Sequence, residues 1–147
     1  MVQTSVYLLN NEKLLNILMA ILFEKTNAND PNGAMKGLDL LSRYLNHFSK
    51  NKKLLPPSFN YVHFFKAVKI VLEGEFAYSI VKMLSIIFMN YDNFNVEFRR
   101  NLSFYLLGRV FFKLFLHWSF TIRKAFYHVL ILKIQRASDI FDSSSRK

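Results

Sequence analysis

Residues 108–136, GRVFFKLFLHWSFTIRKAFYHVLILKIQR, decide how the rest of the chain is read. They hold the only tryptophan, two of the four histidines and six basic residues, with no acid. Three readings compete: a membrane span, a nucleic-acid stripe, or the packed end of a helical domain. A span needs about 20 mostly apolar residues. The most apolar window, Leu102 to Ile122, carries Arg109, Lys113 and His117. Each central Arg or Lys costs roughly 2.5–3.5 kcal/mol on insertion scales. One helix from Val96 to Arg136 would be about 60 Å long; Gly108 weakens it, and Ser119 is a good N-cap. The stretch therefore reads as a helix, a break near His117–Ser119, and a last helix from Phe120 that buries Ile122, Phe126, Val129 and Leu130.

The rest of the chain supports a helical reading. It is 147 residues long, 52% hydrophobic and 16% aromatic. That length suits one domain, and a disordered chain needs far lower hydrophobicity. Four Gly and three Pro are too few for a turn-rich β protein. The fold class expected is all-α, with six or seven helices. They would form a helical bundle or an armadillo/HEAT-like stack of helical pairs, and the even run of amphipathic helices leans toward the stack. Residues 1–137 would form one helical domain, and 138–147 a polar tail.

Helix starts and stops follow from capping chemistry and apolar spacing. A first helix runs from Asn10 or Asn11 to Glu24–Lys25, with Leu14, Leu18, Ile21 and Leu22 on one face. A second spans about Asn32 to Phe48, its inner stripe including Leu38, Leu41 and Leu45, its outer face pairing Asp39 with Arg43. SKNKKLLPPS then interrupts the chain as a solvated basic loop, since Pro56–Pro57 cannot sit inside a helix. Ser58 is placed as the cap of a third helix ending at Glu73, with Gly74 beyond it as the C′ residue. A fourth, Phe76 to Asn90, has Lys82 as its only charge and is apolar nearly all round. Such a helix is covered on most sides, so it belongs in the centre. Asn95 caps a fifth, Val96 to Leu107.

The chemistry-bearing residues exclude more than they propose. There is no cysteine, hence no disulfide framework and no thiolate chemistry. His47, His63, His117 and His128 form no metal-ligand spacing, so no metal and no cofactor is expected. Glu73 and Glu75 flank Gly74, and paired carboxylates can divide acid and base roles. At a helix junction they read as structural, Glu75 favouring the next helix's N-terminus. No phosphate-binding glycine loop or nucleophile elbow occurs. The sequon Asn101-Leu-Ser103 lies in a helix with no signal peptide before it.

The formal charge of +10 allows nucleic acid, an anionic membrane surface or an acidic protein partner. The segment from Phe98 to Ala137 has eight Lys or Arg and no acid, interleaved with aromatics. Such mixtures occur in single-strand binders and in interfacial membrane helices. Aromatics at helical spacing are more often core. The basic surface is assigned to Lys124, Lys133 and Arg136.

Two stretches, HFFKAVKIVLEGEFAYSIVKMLSIIF (63–88) and FFKLFLHWSFTIRKAFYHVLILKI (111–134), resemble a fungal family known as domain of unknown function 1765. The resemblance covers roughly Tyr61 to Gln135. It rests on Phe115, Leu116, His117, Trp118 and Ser119, followed by the pair Ile122–Arg123. It implies an all-helical intracellular protein of unestablished role, some members carrying a membrane label. Members are much longer, so a fragment or truncated paralogue is expected. In a packing account of the signature, Ser119 caps the last helix, Trp118 packs as an apolar anchor with its N–H bonded, and Arg123 lies one turn on.

The function expected is that of a non-enzymatic helical scaffold or protein-interaction module with an unknown protein partner. The alternative is a peripheral membrane protein using the basic, aromatic C-terminal half, and nucleic-acid binding is third. The location expected is cytoplasmic or peripheral to a membrane.

Overall fold

The structure, a computed structural model, describes residues 31–50, 55 and 58–136. The expected first helix, most of the basic loop around Pro56–Pro57 and the polar tail lie outside the described residues. Within them the chain is helical: α1 (Pro31–Lys50), α2 (Tyr61–Glu73), α3 (Ala77–Asn90), α4 (Val96–Leu107), α5 (Phe111–Phe115) and α6 (Phe120–Val129). A 3₁₀ turn (Tyr91–Asn93) follows α3, and α6 widens into a π turn over Leu130–Gln135. No strand occurs among the described residues.

Helix α3 is the centre, as its all-round apolarity required. Ile80, Met83, Leu84, Ile86 and Ile87 are all buried, and α1, α2 and α6 each pack on it. Each such side chain contributes roughly 1.5–3 kcal/mol by leaving water. Contact runs from α1 to α3 to α6, alternate elements once α4 and α5 are taken as one bent segment, and from α2 to α3; a bundle and a stack of helical pairs both have such contacts. From α1, Leu38, Leu41 and Leu45 face inward as the periodicity predicts. Asp39 does not pair with Arg43 along its own helix; its carboxylate takes Lys82 of α3 at 2.7 Å. A cross-helix cation was closer than the one a turn away.

Aromatic rings tie α2 to α4. Phe98 meets Tyr61, Phe64 and Phe65 at centroid distances of 5.0, 5.5 and 5.8 Å, and Phe94 at 5.1 Å. These lie within the range where ring pairs attract. Buried Leu55 donates its N–H to the Asn93 carbonyl at 3.1 Å, pinning the chain ahead of α2 to the 3₁₀ turn.

Two helix ends differ from expectation. Asn60, not Ser58, caps α2, its Oδ1 accepting the His63 N–H at 3.1 Å. Both types cap well, and Asn60 is the one whose side chain reaches the third residue onward. Gly74 closes α2 with an extended backbone, φ −70° and ψ −178°, donating to Ile70 O and Val71 O. It stands at the C-cap, one position ahead of the C′ place expected of it. Asn95 caps α4 as expected, accepting the Phe98 N–H at 2.7 Å.

Candidate functional site

The chain turns between α5 and α6 at the His-Trp-Ser group. Phe115, half-buried, stacks on Phe111 with centroids 5.0 Å apart and 17° between planes. It also meets Tyr127 at 5.1 Å. Helix α5 ends there, and the break falls where the sequence puts it. Ser119 occupies the N-cap position of α6 with extended backbone, but its hydroxyl makes no capping bond. The corner is closed by other groups. The Ser119 N–H donates to His117 Nδ1 at 3.0 Å, and the Arg123 guanidinium donates to the carbonyls of His117 and Trp118. Arg123, one turn into α6, thus holds both peptide oxygens of the bend. Ile122 beside it is fully buried.

Trp118 overturns the anchor account: the indole is 82% exposed. Its physical reason is the clasp itself. With Arg123 and His117 satisfying the backbone of the turn, no packed side chain is needed to hold it. The ring stays outside, beside His117 at 5.5 Å. The His117 pKa is lowered by partial burial, then by the positive charges of Lys113 and Arg123.

The exposed indole continues a row. From α4 through the Gly108 bend into α5, Leu102, Leu106, Val110 and Leu114 are buried at every fourth position. The helical bonds end with Gly108 N–H to Phe104 O and resume with Leu114 N–H to Val110 O; between them Val110 N–H reaches Tyr105 O and Phe111 N–H reaches Gly108 O. Residues two positions out of phase point away from the core. They are Arg100, Phe104, Gly108, Phe112 and Leu116, and all are exposed. Trp118 and Phe120 extend the row around the corner, and Phe112 is 72% exposed. Guanidinium groups lie over two of its rings, Arg100 at 5.8 Å from Phe104 and Arg123 at 5.9 Å from Phe120. Exposed large apolar side chains occur elsewhere, Tyr78 and Val62 among them. This row has five in one phase and at one corner.

The basic residues divide into used and available charge. Arg109 pairs with Glu73 at 2.9 Å, and Tyr105 donates to the same carboxylate at 3.0 Å. Burial and that carboxylate push the Tyr105 phenol far up. Lys113 donates to the carbonyls of Glu73 and Gly74, placing a cation at the C-terminal, negative end of α2. This clasp of α2 to α4 and α5 has no local signal, since Arg109 and Glu73 stand 36 residues apart. Of the three residues assigned to a basic surface, Lys133 is bound to Asp92 with its side chain 19% exposed. Lys124 and Arg136 are exposed. The three do not form one patch of available charge.

Among the described residues, no three His, Asp or Glu side chains lie together in a way that could hold a metal ion. Ser85 and His128 line a shallow groove of about 120 Å³ between α3 and α6, with Val81, Leu84, Phe88 and Ala125. The His128 ring lies against Phe88 at 6.2 Å. Among the described residues, no helix is long and apolar enough to cross a membrane.

A model for the family described as "Protein of unknown function (DUF1765)" matches residues 15–134 of the chain. No curated protein and no solved structure matches it.

Proposed function

We propose that this chain, which belongs to the DUF1765 family, is a non-enzymatic helical interaction module that docks through the row from Phe104 to Phe120. The exposure of Trp118, Phe112 and their in-phase neighbours carries the reading. Contiguous exposed apolar surface rimmed by polar groups marks interaction sites, and Trp, Phe and Arg are the residue types enriched there. The helices behind it supply a rigid backing, since the opposite stripe is fully packed.

The non-enzymatic part rests on the disposition of the polar groups. His117 Nδ1 is engaged by the Ser119 backbone N–H, and the Glu73 carboxylate is engaged by Tyr105 and Arg109. Ser85 and His128 share a groove, yet no carboxylate lines it to orient the imidazole in the way nucleophilic catalysis requires.

The experiment is site-specific photocrosslinking in cells. A crosslinking amino acid in place of Phe112 gives discrete adducts with protein or lipid, and the same group in place of the equally exposed Tyr78 of α3 does not. Equal labelling from both positions, or none from either, overturns the reading.

A further inference from the structure

We infer that the occupant of the Phe104–Phe120 row is the headgroup–acyl boundary of an anionic bilayer; the inference rests on reading that row as a docking face. Shape argues first. The row lies opposite the buried stripe of Leu102, Leu106, Val110 and Leu114 and is one residue wide. A narrow file of Phe, Leu and Trp fits a deformable apolar medium. Peripheral helices of this kind lie in the interface plane with the apolar face sunk into it, and Trp concentrates at that depth.

Charge argues second. Between Phe98 and Ala137 there are eight Lys or Arg and no acid. Arg100 lies on the row itself, with its guanidinium over Phe104. Arg123 stands over Phe120, and Lys124 is exposed next to it. Glu73 is neutralised by Arg109, and the nearest acid in the chain before the row, Glu97, sits ahead of Arg100 on α4. Anionic headgroups match this face at both ends, Arg100 at one and Arg123 with Lys124 at the other. Lys133, whose charge is matched by Asp92, takes no part.

Trp118 makes the test direct, because it is the only tryptophan in the chain and it sits in the row. Its emission is recorded while the full chain is titrated with vesicles of phosphatidylcholine containing phosphatidylserine, and with phosphatidylcholine alone. The expected result is a blue shift with the anionic vesicles, weakened by salt, and little or none with the neutral ones. Phe112→Ser/Leu116→Ser abolishes the shift, and each of Arg100→Gln and Lys124→Gln weakens binding roughly fivefold. All four positions are exposed, and circular dichroism confirms that the variants fold. No shift at low salt, equal binding to neutral vesicles, or a shift that survives Phe112→Ser/Leu116→Ser overturns the inference. Protein adducts from position 112 without any vesicle shift overturn the bilayer and leave the interaction module standing. Neither adducts nor shift overturns both.

Discussion

At His117 two influences favour the same neutral imidazole. Its Nδ1 must stay unprotonated to accept the Ser119 N–H, and partial burial with the charges of Lys113 and Arg123 holds its pKa below the ordinary value. The unfolded chain, with an ordinary histidine near pH 6.5, binds the proton more readily than the folded one. The contribution to stability is therefore present above about pH 6.5 and is lost as pH falls through the lower folded value. The group is partly solvated, so the effect stays local to the corner. Amide NMR should show the Ser119 resonance moving on acidification in step with the His117 ring, and Trp118 emission should change over the same range. His117→Asn keeps an acceptor that can reach the amide two residues on and should flatten that response. An unmoved Ser119 amide, or a variant that titrates like the parent, refutes the account. Arg123 is a second single-residue test. Both bonds to the carbonyls leave one guanidinium nitrogen, Nη1, on a group more weakly hydrated than a lysine ammonium. Arg123→Ala should cost about 1 kcal/mol in urea unfolding, and Arg123→Lys should recover only part of it. None of this clasp was legible beforehand. Helical periodicity assigns a face only to residues within a helix, and Trp118 and Ser119 lie in a bend, where no phase applies.

Helix ends separate residue type from residue chemistry. Asn95 and Ser119 are both good caps by type, and both sit at N-cap positions. Only Asn95 makes the bond, to the Phe98 N–H at 2.7 Å. Asn95→Ala should therefore cost about 1 kcal/mol, whereas Ser119→Ala should fall within about 0.5 kcal/mol of the parent. Equal losses in paired urea titrations would show that the Ser119 hydroxyl caps after all. Gly108 is the other element-scale constraint. A Cβ there would meet the Phe104 carbonyl oxygen at 2.9 Å, backbone that cannot swing aside as a side chain can. Gly108→Ala should strain the α4–α5 bend by on the order of 1 kcal/mol and shift the outward row, which limited proteolysis between 106 and 112 would report. Much at this scale was readable from the sequence. The spans of α1, α3 and α4, the break before Phe120 and the inner stripes all follow from local spacing and cap type. Asp39 with Lys82 and Glu73 with Arg109 do not, because nothing in a local pattern says which distant helix will lie alongside. The same blindness kept the Phe104–Leu116 row from being recognised as surface. Its aromatics looked like core by type, and the buried stripe two residues out of phase already supplies the core.

For the molecule as a whole, the arrangement around α3 sets how the parts unfold. Helices α1, α2 and α6 all rest on α3, while α2 and α4 are additionally tied by the Phe98 ring cluster. A cavity in α3 removes support from several elements at once. Leu84 is fully buried, and Leu84→Ala should cost 2–5 kcal/mol, an order of magnitude typical of large-to-small changes in packed interiors. In a chain of this size that is a large part of the roughly 5–15 kcal/mol that separates folded from unfolded states. The informative readout is where protection is lost. If α3 is the shared support, amide exchange in Leu84→Ala should rise together in α1, α2 and α6. Helices that stand independently of one another would instead lose protection in α3 and keep it in its partners. Tyr78, exposed on the same helix, provides the control: Tyr78→Ser should leave both the urea midpoint and the exchange pattern close to the parent's. Loss confined to α3 and one neighbour in Leu84→Ala would mean that the helices share contacts without sharing stability.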